Sequence, residues 1–272
     1  MEKIAIKGSI WIAIGYGSSQ LLRLISNLIL TRLLVPEIFG LMALINTFLA
    51  GLQLFSDVGI KPSIIRSSRG EEEEFLNTAW TIQFIRGFGI WICCLIIANP
   101  VARFYDDPRL VWLIPITSVG VVITGFNSTS LATLNRDLDV KKVTITNLIV
   151  RITQVSVMVI LAYFHASIWA LIIGDFASKI VNLYISHRIS KIKNRFVWDK
   201  EAVNELMSFG RWIFLSTAMT FLAGQSDRLI LSKFLSLSML GVYAISLNFA
   251  QLPKNILSKL NTQIIFPVFA KK

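Results

Sequence analysis

Residues 11–40 read WIAIGYGSSQLLRLISNLILTRLLVPEIFG. The stretch is apolar over more than ~20 residues, enough to cross a bilayer as a helix, yet it carries Arg23 in its middle. Tyr16, Gln20, Asn27 and Thr31 flank that arginine at intervals of three and four, which puts all five on one helical face. An arginine turned toward lipid costs several kcal/mol, so this face is expected to look onto protein or water.

The pattern returns. Residues 212–241 read WIFLSTAMTFLAGQSDRLILSKFLSLSMLG, and Gly40 and Gly241 are 201 positions apart. The same offset pairs Trp11 with Trp212, Leu30 with Leu231, Leu34 with Leu235, Ala43 with Ala244 and Phe48 with Phe249, without a gap. A long-period repeat in an apolar chain points to the internal duplication common in transporters. Chance likeness between two Leu-rich and Ile-rich helices is the bland alternative, and the shared Trp, Gly, Ala and Phe in one register count against it.

Of 272 residues, 54% are hydrophobic and 16% charged, with a mean hydropathy of +0.64. Soluble domains carry roughly 25% charged residues, so the chain reads as an all-α integral membrane protein. In a soluble protein its net charge of +11 would suggest nucleic acid. In a membrane protein the excess of basic residues in cytoplasmic loops explains it, and no nucleic-acid partner is expected. Cys93 and Cys94 are adjacent in an apolar run and read as small buried residues. His165 and His187, with no Cys or His cluster, make a metal site improbable, and no cofactor is expected. Lys3 and Lys7 precede the first apolar run as in a signal peptide, but the run is long, holds Arg23 and lacks a small-residue cleavage site.

Breaker signals mark about eight spans, near 9–34, 38–60, 76–99, 110–133, 142–164, 167–189, 208–234 and 240–268. With the N-terminus in the cytoplasm, sixteen of the 27 Lys and Arg residues fall on the cytoplasmic side, four outside and seven within spans, which favours that orientation. The domains expected are a six-helix lobe over 1–190, a basic cytoplasmic linker over 191–207 and the first two helices of a second lobe over 208–272. Six helices precede the second copy, so the copies run parallel, related by an axis along the membrane normal. A complete protein of this plan is expected to continue for about four more helices. The linker reads as a solvated, topogenic segment, with binding of anionic headgroups as the lesser alternative. Glu71–Glu74 sit at a helix start, where carboxylates oppose the helix dipole.

Nearly every span carries a polar stripe at the spacing of one face. The second has Asn46, Gln53 and Asp57; the third Gln83 and Arg86; the fourth Thr117, Gly120, Thr124 and Asn127; the fifth Thr144, Asn147, Arg151 and Gln154. The sixth has Asp175, Lys179, Asn182 and Ser186; the seventh Asp227 with Arg228; the eighth Asn248, Gln251 and Asn255. Singly, the uncharged ones read as interhelical glue worth ~0.6 kcal/mol each. The charges ask for more. Seven bases (Arg23, Arg86, Arg151, Lys179, Arg228, Lys254, Lys259) face three acids (Asp57, Asp175, Asp227). Asp175 and Lys179 suit an i,i+4 pair, and Lys254 and Lys259 can snorkel to the cytoplasmic surface. The deep arginines that remain imply a hydrated cavity that wants an anion. The planar guanidinium fork suits phosphate. The carboxylates are candidates for ion coupling or for structural pairing. Gln20, Asn27, Asn46, Gln53 and Asn147 are expected to line the lumen. No nucleophile–base set and no phosphate loop is present, so an enzyme is not expected.

The segments RLLVPEIFG (32–40), SDVGIKPSIIR (56–66), ARFYDDPRL (102–110), LNRDLDVKK (134–142), FGRW (209–212), DRLILSKFLSLSMLGVYAIS (227–246) and IIFPVFAK (264–271) resemble bacterial oligosaccharide flippases. These form the polysaccharide-transporter branch of the multidrug/oligosaccharidyl-lipid/polysaccharide exporter superfamily. The resemblance implies twelve to fourteen helices in two six-helix lobes. It implies movement of polyprenyl-diphosphate-linked glycan across the bacterial inner membrane by alternating access, beside a polysaccharide polymerase and glycosyltransferases. It also implies cationic lumen residues, a role that Arg23 matches by position. Lys61-Pro62 and Lys233–Ser236 depart from the family's small or glycine-bearing turns.

The expected function is flipping of a lipid-linked oligosaccharide, with Arg23, Arg86, Arg151, Lys179 and Arg228 binding the anionic headgroup. One rival is a multidrug exporter of the same superfamily, which would favour an acidic cavity. Another is a non-transporting scaffold of a polysaccharide-synthesis complex.

Overall fold

The computed structural model describes residues 2–137, 139–190 and 192–260. The described residues form ten helices: α1 (Glu2–Leu33), α2 (Pro36–Phe55), α3 (Ile60–Arg66), α4 (Glu73–Tyr105), α5 (Leu110–Gly125), α6 (Ser130–Arg136), α7 (Val140–Phe164), α8 (Ile168–Ile189), α9 (Lys200–Phe234) and α10 (Leu237–Leu260). The protein is an all-helical membrane protein. Four of these helices, α2, α4, α7 and α8, are each long and apolar enough to cross a bilayer, and α5 with α6 makes a fifth if the bent pair counts as one. The eighth expected span runs past 260, where its end and the IIFPVFAK segment lie outside the described residues.

Several boundaries differ from the sequence reading. The second span stops at Phe55, where Asp57 accepts a hydrogen bond from the Gly59 amide at 3.0 Å and Gly59 takes φ 63°. That turn sends the short α3 off separately. The third span passes through Asn99-Pro100 to Tyr105. A proline is tolerated in a membrane helix where neighbours satisfy the freed carbonyl, and Ala98 and Ala102 on either side are buried in the core. The fourth span bends by 55° between α5 and α6. The carbonyls freed at the bend are met from other helices. Trp80 Nε1 donates to Phe126 O at 3.2 Å, and Gln83 Nε2 donates to Asn127 O at 3.0 Å. Gln83, read as a stripe residue, therefore holds up the break.

Two apolar layers organise the bundle. The larger joins the spans at one end: Leu30 and Leu34 of α1, Leu41 to Leu49 of α2, Ile90 to Ala102 of α4, Leu110 to Ile114 of α5, Ile172 of α8 and Leu240 of α10. The smaller, at the opposite end of the bundle, joins Ile60 and Ile64 of α3, Phe75 to Ala79 of α4, Ala132 of α6, and Ala202 and Leu206 of α9. Exposed aromatics flank the bundle at both ends. Trp112 stacks on Trp169 at 5.7 Å, with Tyr163 and Phe164 exposed at the same end, and Phe196 and Trp198 are exposed at the other. Aromatic residues are enriched at membrane–water interfaces.

The repeat seen in the sequence is present in the helix ends. α1 ends at Leu33 and α9 at Phe234; α2 starts at Pro36 and α10 at Leu237; both pairs are 201 positions apart. The copies meet on each other through α2 and α10, and the contact is reciprocal. A Cβ on Gly40 would overlap the Leu237 carbonyl oxygen, and one on Gly241 would overlap the Pro36 carbonyl oxygen. Each would also sit 3.0 Å from the other glycine's amide nitrogen. Close backbone approach through small residues is how membrane helices pack without a hydrophobic drive between them. Around this crossing the helix ends are tied together. Tyr105 donates to Leu229 O at 3.2 Å, Lys233 pairs with Asp106 at 3.1 Å, and Arg109 pairs with Glu37 at 2.8 Å.

The linker is shorter and less free than its composition suggested, because α9 begins at Lys200. Residues 192–199 run extended along α4. The amides of Arg195, Val197 and Asp199 donate to Asn77 Oδ1, Thr81 Oγ1 and Thr78 Oγ1 at 3.0, 3.2 and 3.1 Å. Alternate amides of an extended strand point one way, so three polar side chains on one helix can pin it. Arg69 then clamps its end, pairing with Asp199 at 2.8 Å and with Glu72 at 2.7 Å.

Two predictions follow from these contacts. Gly40→Ala and Gly241→Ala should each cost ~3 kcal/mol or more by forcing backbones apart, whereas Gly89→Ala, with open space around it, should be silent; thermal unfolding in detergent measures the difference. The hydrogen bond from Arg69 holds the Asp199 carboxyl below the ordinary aspartate range. A depressed carboxyl stabilises the fold above its ordinary pKa, and that contribution is lost as pH falls through the lower folded value. The protection of the Arg195, Val197 and Asp199 amides, measured as exchange relative to the intrinsic rate at each pH, should therefore be high at neutral pH and fall as the Asp199 carboxyl protonates below the ordinary aspartate range; in Arg69→Ala it should already be low at pH 7.

Candidate functional site

The deep charges sort into two kinds. Arg86, on α4, is held by α2: its Nη2 donates to Gln53 O at 2.8 Å, its Nε to Ser56 Oγ at 3.1 Å, and its Nη1 lies 3.6 Å from Asp57. Gln53 thus takes part through its backbone. Arg86 borders a cavity of about 460 Å³ between α2, α4 and the start of α9, with an otherwise apolar wall that includes Phe55, Ile85 and Met207. Lys179 is paired with Asp175 one turn back at 2.6 Å and lies against Gly120. Asp227, on α9, accepts from the Tyr243 hydroxyl of α10. Each of the three acids therefore has a partner already.

Arg23 and Arg151 differ. α1 and α7 run side by side in the same direction, with Lys141 Nζ 5.5 Å from the centre of the Trp11 ring and Gly15 against Thr144. Carried two turns further, this register places Arg151 of α7 opposite the stretch of α1 that holds Arg23. Arg23 Nη2 donates to Asn248 Oδ1 of α10 at 2.6 Å. Arg151 Nη1 donates to Gln154 on its own helix at 2.7 Å, and its Nε is buried without a partner. Among the described residues neither guanidinium has a carboxylate within ion-pair distance. Gln20, one turn before Arg23, also has a buried oxygen without a partner. Two guanidiniums on facing stretches of neighbouring helices, one with a spare buried donor, are the planar, multidentate groups that a phosphate takes up.

Arg228 has a buried, unpartnered Nε but lies on α9, away from the pair. Asn27 is half-buried on α1, while Asn46 and Asn147 are exposed. The five expected cations are therefore not brought to one point: Arg23 and Arg151 share a place, and Arg86 and Lys179 are bound to acids elsewhere. Three residues that contact the expected site residues lay outside them. Tyr243 and Ser56 gave no signal in spacing. Asn248 did, as part of a polar stripe, but only tertiary contact names its partner.

The family model described as polysaccharide biosynthesis protein matches residues 29–272. The chain belongs to the polysaccharide biosynthesis protein family. Curated relatives include the succinoglycan biosynthesis transport protein of Rhizobium meliloti, 24% identical over 92% of this chain and 50% of the relative. The lipopolysaccharide biosynthesis protein of Escherichia coli is 24% identical over 100% of this chain and 55% of its own length. The teichuronic acid biosynthesis protein of Bacillus subtilis is 21% identical over 80% and 46%. The chain spans about half the length of the curated relatives it matches. Two solved structures share its fold. One is a MATE protein in complex with Br-NRF, with a TM-score of 0.58 at 16% identity over 97% of this chain and 72% of that one. The other is a MOP superfamily transporter from Pyrococcus furiosus, with a TM-score of 0.56 at 15% identity over 97% and 68%. The resemblance read from the sequence motifs is thus to the right family.

A contrast between the two kinds of charge can be measured. Asp175→Asn strands Lys179 and should destabilise by ~2 kcal/mol, a buried-pair penalty reduced for partial exposure. Arg151→Gln relieves repulsion with Arg23 and should leave stability unchanged or raise it, as thermal unfolding in detergent would record.

Proposed function

We propose that this protein is part of a flippase. It moves a polyprenyl-diphosphate-linked oligosaccharide from the cytoplasmic to the outer leaflet of a bacterial inner membrane by alternating access. The observation that carries this reading is that the parallel register of α1 and α7 brings Arg23 and Arg151 to facing stretches of neighbouring helices, neither with a carboxylate partner among the described residues. A diphosphate placed between them relieves their mutual repulsion and takes up the spare Arg151 donor. Such a pair repels cationic drugs, which favours the glycan carrier over multidrug export.

In this reading the eight spans are α1, α2, α4, α5 with α6, α7, α8, α9 and α10, with the N-terminus in the cytoplasm. The cytoplasmic placement follows the basic excess of the loops. The two copies rock about the α2–α10 crossing, with the prenyl chain in lipid and the glycan in the water-filled lumen. The protein performs no covalent step, and its partners are the polymerase and glycosyltransferases that use the same carrier. Asp227 is the best placed of the carboxylates for ion coupling, because its partner Tyr243 is a neutral donor and not a cation.

Charge reversal tests the site. Arg23→Glu and Arg151→Glu in the full-length protein should each reduce flipping of lipid-linked glycan in proteoliposomes at least ~100-fold, the loss expected when a charged phosphate contact of about 3 kcal/mol is removed and reversed. Wild-type flipping rates in both variants, with normal folding, would remove these residues from the site.

A further inference from the structure

The duplication is symmetric where the copies cross and asymmetric where they meet a charge. Gly40 and Gly241 occupy equivalent positions and contact each other's helix in the same way. Arg23 and Asn248 break that rule. By the 201-residue offset the second-copy counterpart of Arg23 is Gly224, and the first-copy counterpart of Asn248 is Thr47. Gly224 has open space around it, and Thr47 spends its hydroxyl on the Ala43 carbonyl of its own helix. The hydrogen bond of 2.6 Å from Arg23 to Asn248 therefore has no symmetry mate. A contact that served only to join the copies would be expected on both sides of the axis.

The bond does something particular for Arg23. A guanidinium on a long side chain, beside a second guanidinium, swings away from it unless held. Arg151 is anchored within its own helix by Gln154. Arg23 donates to Asn248, a neutral acceptor. A carboxylate there would neutralise the arginine and compete with an anion; an amide oxygen fixes the fork and leaves its charge available.

We infer that Asn248 is a positioning residue that holds Arg23 beside Arg151 so that both meet one diphosphate headgroup. This rests on the diphosphate reading of that pair. It makes the grip depend on both copies at once, since the cation is on the first and its holder on the second.

Binding of farnesyl diphosphate to the full-length protein in nanodiscs tests the inference, with farnesol as the uncharged control. Asn248→Ala should weaken farnesyl diphosphate about tenfold, the scale of one hydrogen bond to a charged group, and leave farnesol unchanged. Asn248→Asp should weaken it further, and Asn248→Gln should retain most of the affinity. In an Arg23→Gln background the Asn248→Ala change should add less than twofold. If Arg23→Gln itself leaves farnesyl diphosphate binding intact, the diphosphate site is wrong and this inference falls with it. If Arg23→Gln weakens binding and Asn248→Ala does not, or if Asn248→Ala costs the same without Arg23, the positioning role alone is overturned.

Discussion

Everything in this protein hangs on a backbone-to-backbone approach between two glycines. At Gly40 and Gly241 the helices α2 and α10 come so close that neither position has room for a methyl group. Lipid supplies no hydrophobic drive between helices, so membrane helices associate by close packing and by polar contacts. A crossing this tight sets where the second copy lies against the first. It brings the end of α9 to the end of α4, where Tyr105 reaches Leu229, and it lays the middle of α10 against α1, where Asn248 reaches Arg23. The larger apolar layer, with Leu240 of the second copy inside it, closes around the same point.

Away from that crossing the structure is governed by the need to satisfy polar groups. The bend between α5 and α6 is stable because Trp80, Gln83 and His187 supply contacts to its carbonyls. The linker lies along α4 because Asn77, Thr78 and Thr81, all buried, would otherwise face a layer without water. Paired charges follow the same logic. Arg86 with Asp57 and Lys179 with Asp175 are neutral units that the interior can hold. Arg23 and Arg151, like Arg228, are left without a carboxylate partner among the described residues, and uncompensated charges of this kind are the departures from local consistency that mark function.

The sequence by itself determined the class, the repeat and the family. Apolar runs of spanning length admit only a helical membrane protein here, the two copies share one register from Trp11 and Trp212 to Phe48 and Phe249, and the motifs carry the family. It also determined the pair of Asp175 with Lys179, because an i,i+4 contact is local to one helix. Tertiary structure alone decided which cations stand together. Helical spacing says which residues share a face, but not which face meets which neighbour, and four deep arginines on four helices looked equivalent. The parallel register of α1 and α7 joins two of them, and α2 folds Asp57 onto a third. Tertiary structure also turned a solvated linker into a strap, since its anchors lie more than a hundred residues away and no local pattern encodes that pairing.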